Sequence, residues 1–265
     1  MNNSTSALPT LTQPRFDPGC ERRLAGSVVA RTALTHGERN EMYELLEMYF
    51  AGTCRARFEA DLAEKESVIL LRDAESGRIQ GFSTSMRISA CIDGQEVVAF
   101  FSGDTIVARE FWGESLLSRL WSQTAFAEAD RIVAAHPAAR VYWFLICSGY
   151  RTWRFLPVFF REFYPHPERP TPPHEQRILD TLGAQKFGDQ YMSGSGVVRF
   201  DSATPLRQGV AEVTDRHLRD PHIAFFSRMN PGHATGDELA CLTEISRANL
   251  TRAGVRMVTS PVKQS

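Results

Sequence analysis

The chain has 265 residues, with 43% apolar side chains, 30 basic residues and 31 acidic residues. These values exclude wholesale disorder and a fibrous class, and they allow one large domain or a domain with an appendage. The formal net charge of −1 removes the main sequence argument for binding to a polyanion. We therefore expect no nucleic-acid partner.

Cysteine, histidine and apolar patterns exclude several further classes. The five cysteines lie far apart, with no C-x-x-C pair and no histidine at zinc-ligand spacing, so we expect reduced thiols, a cytoplasmic protein and no metal. No apolar run has the length of a membrane span. Residues 1–25 are mostly polar and contain prolines, which predicts a flexible N-terminal arm.

The first half of the chain alternates short helices with strands. The patterns predict a strand at 27–34, helices at 35–50 and 54–64, and strands at 67–72, 78–92 and 95–107. Asp93-Gly94 is a two-residue hairpin signal between the last two strands, and Ser102-Gly103 predicts a bulge in the second of them.

The second half begins with a long helix predicted at 113–135 and a buried strand at 141–147. An aromatic block at 150–164 and a proline-rich linker at 165–173 precede a helix at 175–182 and strands near 186–192 and 196–200. The tail, 202–265, is predicted to be a helical extension. Its helices lie at 218–229 and after a capping box at 235–238, with Leu239, Leu242, Ile245 and Leu250 on the buried side.

Three segments, in this order and spacing, resemble the GCN5-related N-acetyltransferase (GNAT) superfamily. Residues 73–82 (DAESGRIQGF) are similar to a hairpin pattern "dG-k-ivG-f". Residues 107–117 (VAREFWGESLL) are similar to "V-x-P-E-Y-R-G-x-G-x-G", and residues 179–188 to "lYekl-GF". The resemblance implies an α/β (α+β) fold over 26–201, with a mixed, mostly antiparallel central sheet flanked by helices.

The resemblance also implies an acyltransferase that moves an acyl group from a thioester carrier to a small-molecule amine by direct attack. In the family, small residues before the long helix let backbone N–H groups approach the coenzyme A pyrophosphate. The key positions here carry Trp112, Ser115 and Leu117, and Leu117 is expected to displace the pyrophosphate or alter its pose. The cofactor-binding residues that the resemblance implies are Ile106, Val107, Trp112, Gly113, Glu114, Ser115, Leu116 and Leu117.

This altered loop leaves the donor open between an acyl-CoA, with acetyl-CoA included, and an acyl-carrier protein. It also leaves two other functions open. One is a non-catalytic GNAT-like module that binds a hydrophobic ligand or a protein partner. The other is decarboxylation or hydrolysis of a carrier-bound acyl group on the same scaffold.

Acyl transfer to an amine needs a base for the ammonium proton and an acid for the leaving thiolate. Glu96, Ser102 and Asp104 share parity on the long strand, so Glu96 or Asp104 is the candidate base if no bulge intervenes. Tyr150 follows the buried strand at the position where the family places a tyrosine acid. The alternatives are solvated or arginine-paired carboxylates and a packed aromatic ring.

The aromatic block is the most unusual composition in the chain. Placed on a helix, Trp153, Leu156 and Phe160 share one face, which predicts either an acyl-chain wall or an ordinary core face. The tail helices are expected either to cover the substrate cleft or to form a homodimer contact.

Overall fold

A computed structural model describes residues 23–261, and the predicted arm lies almost entirely outside this range. The described part of the chain contains one eight-stranded sheet. Its first strand begins at Leu24, inside the segment predicted as an arm. The strands are β1 (Leu24–Ala30), β2 (Ser67–Asp73), β3 (Ile79–Ile92), β4 (Gln95–Val107), β5 (Arg140–Cys147), β6 (Tyr191–Met192), β7 (Val197–Val198) and β8 (Glu238–Glu244).

Helices cover both faces of this sheet. The first is closed by a reciprocal capping box, in which the Thr35 side chain accepts from the N–H of Glu38 and the Glu38 carboxylate accepts from the N–H of Thr35. The α-helices of the described range are α1 (His36–Tyr49), α2 (Arg55–Ala63), α3 (Leu116–Ala135), α4 (Tyr150–Trp153), α5 (Phe155–Phe159), α6 (Pro173–Phe187), α7 (Pro221–Met229) and α8 (Arg252–Thr259).

The strand order is β1-β2-β3-β4-β5-β8-β7-β6, and every neighbouring pair is antiparallel except β4 and β5. This confirms the predicted mixed, mostly antiparallel sheet. The β3–β4 turn has Asp93 and Gly94 at φ values of 53° and 78°, the left-handed pair of a two-residue hairpin. Helices α3 and α8 pack together on one face of the sheet, and α1 and α6 pack on the other.

A bulge interrupts the β3–β4 ladder near its end. Ser85 pairs with Ser102 and Ser83 pairs with Thr105, so Gly103 and Asp104 together lie opposite Thr84. The predicted bulge is confirmed. It also shifts the side-chain alternation by one residue, so the shared face expected for Ser102 and Asp104 is wrong.

The tail differs from its prediction. The capping box at 235–238 does not begin a helix: Gly236 has a φ of 102°, and the seven residues after Asp237 form β8. This strand lies between β5 and β7, and its residues Leu239, Cys241 and Leu242 are fully buried. Segment 202–265 therefore contributes helices α7 and α8 together with an interior strand of the sheet, rather than helices alone.

The aromatic block forms two short helices and a large part of the core on the α3 face. Trp153, Leu156 and Phe160 are buried, as their common face predicts, and Trp153 packs against the rings of Phe225 and Phe226. The block is thus held by α7 from the tail. The face that carries Trp153, Leu156 and Phe160 is therefore a core face.

Candidate functional site

The sheet opens between its two parallel strands. β4 and β5 pair from Val97 with Arg140 to Ser102 with Leu145 and then separate. Beyond this point β4 pairs only with β3, and β5 pairs only with β8. The facing edges of the two strand ends therefore carry backbone N–H and C=O groups outside the sheet ladder, which is the kind of edge that an extended ligand can pair with.

Asp104 lies on β4 just beyond the point of separation. Its carboxylate has no hydrogen bond or ion pair with any residue between 23 and 261, and the residue is partly buried. Burial, followed by repulsion from Asp61, raises the pKa of Asp104 to about 7, although Lys65 opposes the rise. The side chain therefore faces the end of α2, and it exchanges protons close to neutral pH.

Glu238 lies across the opening at the first position of β8. Cys147, the last residue of β5, pairs with Leu239, and the next residue, Ser148, donates a hydrogen bond to the Glu238 carboxylate. The pKa of Glu238 is raised to about 8, mainly by burial; Asp104 and Asp61 add to the rise, and the Ser148 bond opposes it. The opening is thus flanked by two carboxyl groups of raised pKa, and the charge of Asp104 contributes to the raised pKa of Glu238.

Sequence reasoning missed Glu238 because it read this residue as part of a helix cap. The available signal was the four-residue apolar run 239–242, which contains Cys241 and is followed by Thr243. A short apolar run after a glycine also fits a buried central strand.

Two lysines stand beside the carboxyl pair. Lys65 is 2% exposed, and its Nζ lies 2.6 Å from Asp61 Oδ1 and 2.9 Å from the Asp61 carbonyl oxygen, to which it donates. Lys186, from α6, forms an ion pair with Glu64 and lies 3.7 Å from Asp61. Both ammonium groups stand over the ring of Phe101. Each lysine therefore already has an acidic partner.

Thr84 adds a buried hydroxyl to this group. The residue is 1% exposed, and its Oγ1 has no hydrogen-bond partner among the described residues. A Cβ on Gly103 would lie 2.6 Å from this oxygen and 2.6 Å from Lys65 Cε, so only glycine lets the Thr84 and Lys65 side chains pack this closely against β4. Thr84 thus lies opposite the bulge that contains Gly103 and Asp104.

The other predicted chemical residues lie elsewhere. Glu96 is exposed at the hairpin end of β4, about 26 Å along the strand from Asp104. The Ser102 hydroxyl accepts from the indole N–H groups of Trp121 and Trp143, each at 3.0 Å, on the α3 face. Tyr150 begins α4 with its ring buried against His217, at 5.3 Å between centroids. The structure therefore brings Asp104, but not Glu96, to the opening.

Ile106 and Val107 lie on β4 beyond the opening, and the predicted phosphate loop follows them directly. The Trp112 indole donates to the Val107 carbonyl at 2.8 Å, and the N–H groups of Gly113 and Glu114 donate to Phe111. The first backbone bond of α3 runs from Arg119 to Ser115, so the N–H groups of residues 116–118 have no acceptor within the helix. Leu116 and Leu117 pack against the core of the α3 face.

Two arginines lie beside this loop, although the loop has Trp112 and no basic residue at its own key position. The guanidinium carbon of Arg151, from α4, lies 4.5 Å from the Trp112 ring centroid, and that of Arg109 lies 5.4 Å away. Arg151 Nε donates to the Val210 carbonyl at 3.1 Å, which orients the guanidinium. The helix dipole, the unpaired amides and these two cations together suit an anion.

Residues 203–213, which we call the strap, run from the end of α1 to the start of α4. The N–H of Ala51 donates to Pro205 O, and the N–H of Arg207 donates to Tyr49 O. At the other end, a Cβ on Gly149 would lie 2.8 Å from the Ala211 Cβ. The strap therefore passes between residues that adjoin the ends of β4 and β5.

The described residues can be searched for a metal site and for a membrane-spanning helix. No set of three or more His, Cys, Asp or Glu side chains within 23–261 is arranged to hold a metal ion. Among the helices of the same range, none combines the length and apolar character that crossing a membrane requires.

Comparison with known proteins gives structural matches at low identity. No family model and no curated sequence matches the chain. An N-acetyltransferase (YhbS) from Escherichia coli in complex with CoA is 14% identical, with a TM-score of 0.33, over 53% of this chain and 71% of its own. Arabidopsis thaliana NAA60 with a bisubstrate analogue is 13% identical (TM-score 0.35, 52% and 86%). A probable N-acyltransferase from Enterococcus faecalis is 10% identical (TM-score 0.37, 85% and 67%).

The order of strands and helices supports the fold assignment. Two helices follow β1, one parallel pair interrupts an antiparallel sheet, and a long helix begins directly after the first strand of that pair. This is the mixed, mostly antiparallel α/β (α+β) fold that the motifs at 73–82, 107–117 and 179–188 predict.

Proposed function

We propose that the protein transfers an acyl group from a thioester to an amine at the β4–β5 opening, with Asp104 as the general base. The observation that supports the proposal is the placement of Asp104 and Glu238 on the strand ends that flank the β4–β5 opening. Both have pKa values near neutrality, about 7 and about 8. A base and an acid with such values suit proton transfer at physiological pH.

The proton balance of this reaction fits the two carboxyl groups. The amine nitrogen forms a bond to the thioester carbonyl carbon, and the C–S bond breaks. Asp104, ionised, takes a proton from the amine, and Glu238, protonated, gives one to the departing sulfur. Backbone N–H groups on the free edge of β4 are the available donors for the carbonyl oxygen.

A phosphate-bearing donor fits the residues after β4. The unpaired amides at 116–118, the Ser115 hydroxyl and the guanidinium groups of Arg109 and Arg151 would hold its phosphate groups. Leu117 packs against the core, which supports room for a phosphate at the helix end. Acyl-CoA and acyl-carrier protein both present phosphate and a thioester, and we propose them as alternative donors.

Calorimetry with full-length protein tests the donor, with acetyl-CoA, octanoyl-CoA and an acylated carrier protein as probes. A thiol-release assay with a mixed pool of diamines, amino acids and amino sugars then tests transfer. We expect amine-dependent release that Asp104→Asn lowers by roughly 100-fold or more, whereas Glu96→Gln leaves it unchanged. If none of these thioesters binds, the proposal is overturned.

The strap favours a second candidate function, a binding module without transferase activity. Leu206 and Ala211 pack on the core next to Gly149, and Val210 stands at the phosphate loop, where an acyl carrier would have to pass. In that case an apolar ligand or a protein partner would occupy the opening. The thioester titrations separate the two, because this second function predicts no binding of any donor.

A further inference from the structure

The exposed face of α4 and α5 leads away from the proposed phosphate site. The N–H groups of Arg154 and Val158 each donate to the carbonyl four residues earlier, so helical spacing continues from α4 into α5. Arg151, Phe155 and Val158 therefore share one face of this segment. This face points away from the core, because Phe155 is 37% and Val158 is 42% exposed. An apolar surface thus begins one helical turn after Arg151.

Helix α8 extends this surface. The Thr251 N–H donates to the Phe159 carbonyl at 3.0 Å and the Thr251 hydroxyl donates to the Val158 carbonyl at 2.7 Å, so α8 begins against the end of α5. Val255, four residues later and on the same side of α8, is 46% exposed. We call Phe155, Val158 and Val255 the apolar patch. It leaves three large apolar side chains of two adjoining helices in contact with solvent.

Arginines without acidic partners border the apolar patch. Arg161 follows α5, and Arg252 and Arg256 lie on α8; all three are exposed. Among residues 23–261, no carboxylate lies within ion-pair distance of any of them. These guanidinium groups are therefore available to an external anion.

The acidic side chains beside this surface are already neutralised. Glu162 forms an ion pair with Arg169, and Asp220 lies 3.6 Å from Arg154. The sequence of α8 contains no acidic residue. The surface therefore combines exposed apolar side chains with an excess of positive charge, which suits a partner surface that is acidic and partly apolar.

The length of this surface indicates a large partner. Val158 lies seven residues after Arg151, about 10 Å along a helix, and α8 lies about 8–10 Å further, the usual distance between packed helix axes. A donor whose phosphate is held at Arg151 contacts both helices only through a large group attached beyond that phosphate. A protein carrier has such a group.

We propose that α5 and α8 form a docking surface for an acidic acyl-carrier protein, which presents its thioester through the proposed phosphate site. This inference rests on the proposed function and chooses between its two donors. The carrier's phosphate binds at Arg151 and the free amides of α3. Its acidic side chains contact Arg252 and Arg256, and its apolar side chains cover the apolar patch.

Titration calorimetry of the full chain tests this surface with two thioesters of the same acyl group. The probes are octanoyl-CoA and a bacterial acyl-carrier protein that bears octanoyl-phosphopantetheine. The double variant Arg252→Gln/Arg256→Gln should weaken binding of the carrier protein at least about tenfold and leave binding of octanoyl-CoA within about twofold. Val255→Ser should act in the same direction through lost apolar contact. Added salt should weaken carrier binding less in the double variant than in the unmodified protein.

Arg131→Gln/Arg177→Gln is the matched control, because it removes the same charge elsewhere. Arg131 lies near the end of α3 and pairs with Glu128, and Arg177 lies on α6, on the other face of the sheet, and pairs with Asp93. This variant should bind both thioesters as the unmodified protein does. Thermal unfolding of each variant checks that it is folded.

The outcomes separate the inference from the proposed function. Carrier binding that both arginine pairs weaken equally, or that neither pair weakens, overturns the docking surface. Amine-dependent thiol release from octanoyl-CoA, without binding of the carrier protein, also overturns it and leaves the transferase proposal standing. Carrier binding that requires Arg252 and Arg256 but gives no amine-dependent thiol release supports the surface and overturns the transferase proposal.

A membrane is the other partner that an apolar and basic surface could contact, and the same variants test it. Sedimentation with phosphatidylglycerol vesicles should be absent or unchanged in Arg252→Gln/Arg256→Gln. Vesicle binding that requires these two arginines, in a protein that does not bind the carrier, would identify a membrane-contact surface and overturn the inference.

Discussion

The two carboxyl groups at the opening make the folded state sensitive to pH. Asp104 has a pKa of about 7 in the folded protein against an ordinary value of 3.8, and Glu238 about 8 against 4.5. The unfolded chain therefore loses these protons at lower pH than the folded chain does. Each group thus favours the folded state below its ordinary pKa, and this contribution is lost as pH rises through the folded value.

We predict that Asp104→Asn raises the melting temperature at pH 8.5 but not at pH 4. The amide is similar in size and uncharged, so it removes the cost of burying an ionised carboxylate and has no effect where the acid is already protonated. The gain should grow between about pH 4 and pH 7 and then stay constant, at roughly 2–4 °C for each kcal/mol.

Scanning calorimetry of Asp104→Asn, Glu238→Gln and Glu96→Gln over pH 4–9 measures this difference. Glu238→Gln should show the same pattern, extending to about pH 8, and exposed Glu96 should show none. A uniform shift of Asp104→Asn at all pH values would contradict the prediction, because it would reflect a packing change rather than ionisation.

Among these residues, the sequence identifies Asp104 but not its partner. Strand parity placed Asp104 with Glu96 and Ser102, and the bulge at Gly103 moved it to the opposite face. Glu238 became adjacent only because β8 inserts beside β5, a pairing of residues more than 90 positions apart. Such a long-range contact leaves no local pattern.

At the scale of elements, the proposed anion site after β4 is assembled from separate parts of the chain. The loop lacks a basic residue at the position of Trp112, and α4 supplies Arg151 over the same ring instead. Arg151 is exposed and held by Val210 from the strap. The proposed phosphate site therefore depends on α4 as well as on the loop.

We predict that Arg151→Gln weakens binding of coenzyme A roughly tenfold or more, as expected for a lost charged hydrogen bond. Arg154→Gln is the matched control, since Arg154 lies on the next turn and stands 3.6 Å from Asp220. Calorimetry at low and high salt measures both, and the salt dependence of binding should be smaller for Arg151→Gln. Equal affinities for the two variants would remove Arg151 from the phosphate site.

Elements with strong local patterns were predictable, and those decided by packing were not. Helices α1 and α3 and the β3–β4 hairpin follow from caps, apolar spacing and Asp93-Gly94. In the tail, Leu239 and Leu242 fit helical spacing, and a threonine and a glutamate fit a cap. The same residues bury more apolar surface as a strand between β5 and β7, because a strand in that position is covered on both faces.

At the scale of the whole molecule, this strand makes the tail part of the sheet. β8 pairs with β5 over six positions, from Cys147 with Leu239 to Tyr142 with Glu244, and joins the β6–β7 hairpin to the sheet. Leu239, Cys241 and Leu242 are each 0% exposed. Residues 26–201 alone would lack an interior strand and would leave the edge of β5 unpaired.

We predict that a chain ending at residue 201 does not fold. Losing a buried leucine costs about 2–5 kcal/mol, and two buried leucines together reach the 5–15 kcal/mol by which domains are stable. The truncated chain should give no cooperative thermal transition by circular dichroism and should aggregate through the free β5 edge. Coexpression with residues 202–265 as a separate chain is the matched control, and it should restore a cooperative transition by refilling the gap between β5 and β7. A soluble 1–201 chain with a sigmoidal transition would instead show that 202–265 is a separable appendage, and Glu238 would then be dispensable for the fold.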